Sequence, residues 1–319
     1  MQIIKVLGIN GLGKTKGCEK AGNKIIEALS GIRVNESGKK IDTSKLQESK
    51  ILDSSQNPKK ILKSKDFDSF RTKGSDSARN SSEFRHAQKS SISDKEKLDL
   101  EEIHLDNSNL EAANELIYEN CLEEFEKQDK IIFLGGDHSV SYSIVRAFKD
   151  YLLENNKKPF LIVFDAHPDL MESLKEATHE EWLRKLIDDG FPKENIILIS
   201  VRNSYEDELN FIKENEIQVV DMKTLNEDIE GVCDMIMEKA RAADELYISV
   251  DIDCLDSAYA SATGYPEPGG MTTRQLLYML QRLKLLKNFK AADIVEINPD
   301  KQGSEMTIKT AAKILAELI

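Results

Sequence analysis

Only four of the 319 residues are cysteine, and none of them forms a C-x-x-C pair. Cys18, Cys121, Cys233 and Cys254 are scattered, so neither a disulfide framework nor a zinc-knuckle spacing follows from them. A reducing compartment, the cytoplasm, is the expectation. No uninterrupted apolar run approaches the roughly 18 residues of a membrane span, which argues against a membrane partner. The opening MQIIKVLGING has one early lysine, no long apolar region and no small-residue cleavage site, so no signal peptide is expected. Basic residues are outnumbered, with 44 Lys and Arg against 57 Asp and Glu and a formal net charge of -13. Without a basic face there is no footprint for duplex nucleic acid. The balance favours a cationic small molecule instead. No repeat of fixed period is present.

What is there is ordered after about residue 100. Apolar runs such as KIIFLGG, PFLIVFDAH, NIILISVRN, IQVVDM, DELYISVDID and ADIVEINP read as strands. They alternate with helical patterns: 110–128, SYSIVRAFKDYLLEN, HEEWLRKLIDDG, EDELNFIKENE, IEGVCDMIMEKARAA, TTRQLLYMLQRLKLL and the final MTIKTAAKILAELI. Near-continuous apolar strands separated by amphipathic helices predict a parallel sheet covered on both faces. Before residue 100, a first strand is expected at 3–7 and a short helix at 21–31 ended by Gly31. Residues 32–98 are rich in Lys, Ser, Asp and Glu. Apolar spots such as Ile51-Leu52 and Ile61-Leu62 build no periodic face there, and a polar, partly disordered insertion in a single domain spanning 1–319 is expected.

Three stretches carry the chemistry: GGDHS at 135–139, FDAHPD at 164–169 and VDIDCLD at 250–256. Each places Asp or His where an apolar strand stops, the end at which open parallel sheets hold ligands. If extended geometry continues past the strand, Asp165, His167 and Asp169 point the same way. Asp251 and Asp253 repeat the i,i+2 spacing. His138 can approach from a third strand, with Gly135 and Gly136 permitting a tight turn. Burying this many carboxylates together without a cation would be costly. Hard carboxylates with imidazole suit Mn(II), and less selectively Fe(II), Co(II) or Zn(II). Six ligands could hold two metals about 3.5–4 Å apart. A lone D-x-H or D-x-D would read as ordinary strand-end polarity; the set does not.

These motifs, with ATGYPEPGG at 262–270 and EINP at 296–299, resemble the ureohydrolase superfamily of arginases, agmatinases, guanidinobutyrases, proclavaminate amidinohydrolases and formimidoylglutamases. The likeness runs from about 131 to the C-terminus, more faintly from 3 to 30. It implies a three-layer α/β/α fold with a mostly parallel, about eight-stranded sheet, assembled as a homotrimer or homohexamer. It implies two Mn(II) ions. His138, Asp165, Asp169 and Asp251 match positions that include the bridging carboxylates, and His167 and Asp253 complete the separate shells. The metals would lower the pKa of a water that attacks a guanidinium carbon, releasing urea and an amine. Asp169 would hydrogen-bond that nucleophile. Glu296 would grip the planar guanidinium, which a carboxylate matches in charge and geometry. His179 falls where the family has a proton shuttle, although Glu180 and Glu181 replace the usual glycine after it, and a surface histidine on a helix is the alternative.

Substrate signals are thinner. PEPGG at 266–270 looks agmatinase-like, and no Asn- and Ser-rich loop for the amino-acid end of arginine follows Asp169. Agmatine is therefore the first expectation, with arginine, guanidinobutyrate or formimidoylglutamate as alternatives; Arg202 could serve the carboxylates of the last. A noncatalytic metal-binding relative remains an alternative. The usual Asp-Pro is Asp256-Ser257 here, which should loosen that turn. Finally, GINGLGKT at 8–15 fits G-x-x-x-x-G-K-T and would make a phosphate loop, but Gly17 and Gly22 interrupt the helix such a loop needs.

Overall fold

The computed structural model describes residues 1–11, 13–44, 46, 50–52, 98–173 and 175–319. Ile61-Leu62 and most of the expected polar insertion lie outside them.

Among the described residues, nine strands form one all-parallel sheet. They are β1 (Gln2–Val6), β2 (Lys50–Leu52), β3 (Asp99–Ile103), β4 (Ile131–Gly135), β5 (Pro159–Phe164), β6 (Ile196–Ile199), β7 (Gln218–Val220), β8 (Glu245–Asp251) and β9 (Phe289–Val295). Their order across the sheet is β2-β3-β1-β4-β9-β8-β5-β6-β7. The expected count of about eight is exceeded by one three-residue edge strand, β2.

Nine helices cover both faces among the described residues. They are α1 (Ala21–Leu29), α2 (Leu110–Lys127), α3 (Ser139–Glu154), α4 (Trp182–Asp188), α5 (Glu206–Asn215), α6 (Met222–Glu227), α7 (Ile229–Arg241), α8 (Thr273–Leu283) and α9 (Ser304–Leu318). Alternation along the strands sorts the core into two layers. Phe160, Ile162 and Phe164 of β5 belong to the layer that holds α1, α7, α8 and α9, whereas Leu161 and Val163 belong to the layer that holds α2, α3 and α4. The result is an α/β/α sandwich, as expected from strands apolar on both faces.

Strand β3 reads DLEEI and was not foreseen. Its register explains it: Lys5 of β1 stands opposite Glu102 and forms an ion pair with it. The segment 218–222 also differs from expectation. The strand stops at Val220 because Asp221 caps α6, accepting the Thr224 N–H at 2.8 Å.

Candidate metal centre

Four neighbouring strands, β4, β9, β8 and β5, end at one place and deliver all the motifs there. His138 opens α3 just after β4, and Glu296 follows β9. Asp251 ends β8 and Asp253 lies in the next turn, while Asp165, His167 and Asp169 follow β5.

The extended geometry expected beyond β5 does not continue. The strand stops at Phe164, and Asp169 turns back with a left-handed φ of 53°. The side chains therefore diverge and join two clusters of candidate ligands. His138 Nδ1 lies 2.9 Å from Asp165 Oδ2, 3.0 Å from Asp169 Oδ2 and 3.2 Å from Asp251 Oδ2. His167 Nδ1 lies 3.1 Å from Asp253 Oδ2 and 3.6 Å from Asp165 Oδ1. Asp165 thus gives one oxygen to each histidine. All six expected ligands come together.

The arrangement fits a metal better than it fits a hydrogen-bond network. His138 Nδ1 and Asp165 Oδ2 are buried, yet neither makes a hydrogen bond. Three carboxylate oxygens surround one ring nitrogen, and at most one could take its proton. Burial and the charge of Asp165 push the Asp169 carboxyl up to about 7. Burial, with Asp253 beside it, holds Asp251 well above the carboxylate range. Burial disfavours charge on His138 too, but the surrounding carboxylates win and raise it. A cation removes the conflict for every member at once.

Outer contacts orient the ligands. His138 Nε2 meets Ser249 Oγ at 2.9 Å, and Ser249 donates to Asp293 Oδ1 at 2.7 Å. Asp293 is fully buried and also accepts from Ser141 and Tyr247. This chain fixes the tautomer that leaves Nδ1 free to ligate. Asp165, Asp251 and Asp253 accept main-chain N–H bonds from His167, Asp253 and Ala166 respectively. Trp182 does more than pack. It is fully buried, its ring lies 4.6 Å from that of His138, and its Nε1 donates to Asp169 Oδ2 at 2.8 Å. An indole N–H thirteen residues after a carboxylate carries no sequence signal of this.

Glu296 has a left-handed φ of 66° and is buried. Its Oε1 accepts the His138 N–H at 2.9 Å. Its Oε2 borders Gly264 and lies 4.0 Å from Cys18 Sγ. Burial and the nearby Asp137 push its carboxyl well up. His179 is neither on a helix nor at the surface. It lies in the turn before α4, is 4% exposed, and has Nδ1 3.6 Å from Glu296 Oε1. Burial lowers its pKa, which favours the neutral ring. Both side chains line a cleft of about 540 Å³, open mouth included, with His138, His167 and Asp169 at its floor and Glu180, Tyr205 and Tyr265 around it.

Two further expectations change, and one alternative falls as its glycines implied. Arg202 has no fork left for a substrate: it donates to the carbonyls of Ser200, Asp253, Leu255, Glu267 and Pro268. The turn at Asp256-Ser257 is not loose, because the Asp256 carboxylate accepts from Ala258 N and Gly269 N. Nor does GINGLGKT present a helix N-terminus. Thr15 Oγ1 and Asn10 N donate to Asp137 Oδ2 at 2.7 Å each, Lys14 sits 4.3 Å over the Tyr265 ring, and α1 begins only at Ala21. Asp137, overlooked within GGDHS, is what anchors this loop beside the cleft. Gly136 permits the approach, since a Cβ there would lie 1.8 Å from the Gly8 carbonyl oxygen.

The sequence pattern of the arginase family matches residues 11–319. The chain belongs to the arginase family. It is 30% identical to arginase 1, mitochondrial, of Oryza sativa subsp. indica over 190 residues, 59% of this chain and 54% of that protein. It is equally 30% identical to the agmatinase of Bacillus subtilis (strain 168) over 225 residues, 69% of this chain and 73% of that one. The chain spans about half the length of the plant arginases it matches. Formimidoylglutamase from Bacillus subtilis superposes with a TM-score of 0.74 at 19% identity, covering 99% of this chain and 85% of that one. Arginase and agmatinase match at the same identity, so the family is shown and an agmatinase-type resemblance is not singled out. Among the described residues, no helix is long and apolar enough to cross a membrane.

Proposed function

We propose that this chain hydrolyses a guanidine C–N bond at a pair of divalent metals, and that agmatine, giving putrescine and urea, is its substrate. The observation that carries the reading is the Asp165 carboxylate divided between His138 Nδ1 and His167 Nδ1, with Asp169, Asp251 and Asp253 completing the two shells. Mn(II) suits this oxygen-rich donor set. Bound there, the pair would supply a water acidic enough to act as nucleophile near neutral pH.

The chain's own residues do the rest. Glu296 uses one oxygen to hold the His138 N–H and keeps the other for the guanidinium N–H groups. Asp169 is held by Trp182 at the cleft floor, where it accepts the proton of the nucleophile. His179, neutral at rest, takes up at its free ring nitrogen the proton released by the nucleophile through Asp169 and then passes a proton to the departing amine, returning to the neutral ring. Agmatine is favoured by the rim. Glu180 and Glu267 flank it, and the donors of Arg202 are occupied, so a distal ammonium is better met than a carboxylate. Arginine is the second reading, favoured by the 30% identity to plant arginases and by Lys14 over Tyr265 at the cleft wall.

The test is a product screen with the Mn(II)-loaded protein. Urea release is followed from agmatine, arginine and guanidinobutyrate, and formamide release from formimidoylglutamate. Agmatine should give the highest kcat/KM. Preference for arginine would replace the first reading with the second, and no product from any of the four would reject both.

A further inference from the structure

Arg202 ties together three segments that differ widely in sequence position. Its Nη2 donates to the carbonyls of Asp253 at 2.7 Å, Glu267 at 2.8 Å and Leu255 at 3.1 Å. Its Nε reaches the Pro268 carbonyl and its Nη1 the Ser200 carbonyl. One guanidinium therefore joins the end of β6, the turn after β8 and the PEPGG loop. A lysine could not span this set, because the donors must point in several fixed directions. The fit also needs glycine at 270, where a Cβ would lie 2.6 Å from Nη2.

The clamped loop carries Glu267 toward the metal centre. Its Oε1 accepts from Asn203 Nδ2 at 2.8 Å and lies 3.8 Å from His167 Nε2. The other nitrogen of that ring faces Asp253 and Asp165. A ligating imidazole is oriented by what its second nitrogen meets. For His138 that partner is Ser249, on a strand. For His167 the facing group is Glu267, at ion-pair rather than hydrogen-bonding distance, on a loop that Arg202 holds.

We propose that Arg202 and Glu267 are positioning residues for the second metal. Arg202 fixes the loop, and Glu267 fixes the His167 ring so that Nδ1 stays aligned with Asp253 and Asp165. This rests on the metal-pair reading above. The experiment is calorimetric titration of Mn(II) into the metal-stripped full chain, with electron paramagnetic resonance to detect the coupled pair. Wild type should bind two equivalents. Glu267→Ala and Arg202→Lys should leave the first equivalent unchanged and weaken the second about 10-fold to 100-fold. Glu267→Gln keeps an acceptor and should fall between. Circular dichroism checks that each variant folds. An unchanged second equivalent, an equal loss of both, or an effect confined to one of the two positions would overturn the proposal. A wild-type chain that takes fewer than two ions would instead bring down the metal-pair reading and this inference with it.

Discussion

The two metal-facing histidines stand at opposite ends of one carboxylate cluster in unlike surroundings. His138 has a side chain 1% exposed, a tryptophan against its ring, and outer partners borne by strands β8 and β9. His167 has a side chain 23% exposed, and its outer partner sits on a loop. Strand-borne contacts hold geometry more tightly than loop-borne ones. The comparison teaches that one half of the centre is built as core and the other as cleft. Under the proposed function a guanidine would enter from the open half, so that chemistry would belong where the support is least permanent.

Several substitutions probe this contrast. Asp165→Asn touches both halves and should have the largest effect. Turnover should fall about 10³-fold or more, as expected when several kcal/mol of metal assistance is lost, and bound metal after gel filtration should drop below one equivalent. Asp169→Asn leaves the remaining ligands and should lower kcat about 10²-fold or more with the far-UV spectrum unchanged; near-normal turnover would reject its role. Ser249→Ala strips the outer contact of the sealed half alone. Metal titration should show one equivalent weakened about 10-fold to 100-fold, and the other equivalent should hold. Trp182→Phe keeps the packing but leaves Asp169 Oδ2 short of a donor. A cost of about 1–3 kcal/mol in thermal or denaturant stability of the metal-loaded form is expected.

The smallest effect is expected from a control that contacts neither half. Arg274 and Gln281 donate to the half-exposed Glu36 and hold its carboxyl at about 2, below its ordinary 4.5. A depressed carboxylate pKa contributes stability above pH 4.5 that is lost as pH falls toward about 2. Solvent screening limits the contribution to under about 1 kcal/mol. Denaturation of Glu36→Gln against wild type should show the gap closing across that window, with metal binding at neutral pH the same.

Much of this is legible in the sequence. Strands such as KIIFLG and PFLIVF are apolar on both faces, and only a covered parallel sheet buries both. The six candidate ligands stand out because Asp and His are out of place at the ends of such runs. What could not be read depends on neighbours distant in sequence. DLEEI becomes a strand because Lys5 lies opposite Glu102. His179 shares its stretch with a helical pattern that starts three residues later, at Trp182. Arg202 looked free to bind a carboxylate because nothing in VRN says that five carbonyls from three segments converge on it. GINGLGKT matched a phosphate loop by spelling, and only the buried Asp137 shows where its N–H and hydroxyl groups go.

Asp169 and Glu296 adopt backbone angles that glycine would accept freely and that a side chain resists, Glu296 more so than Asp169. Glycine at either place would relieve of order 1 kcal/mol of strain and remove a buried carboxylate from the cleft. Those carboxylates also accept from Trp182 Nε1 and the His138 N–H, so glycine would strand a buried donor at about 1–3 kcal/mol each, and the strain is outweighed. A library selected for heat resistance alone should keep an acceptor at both positions, amide as readily as acid, whereas one selected for turnover should keep only the acids. Where those two libraries part company, position by position, would map the active centre without a substrate having been named.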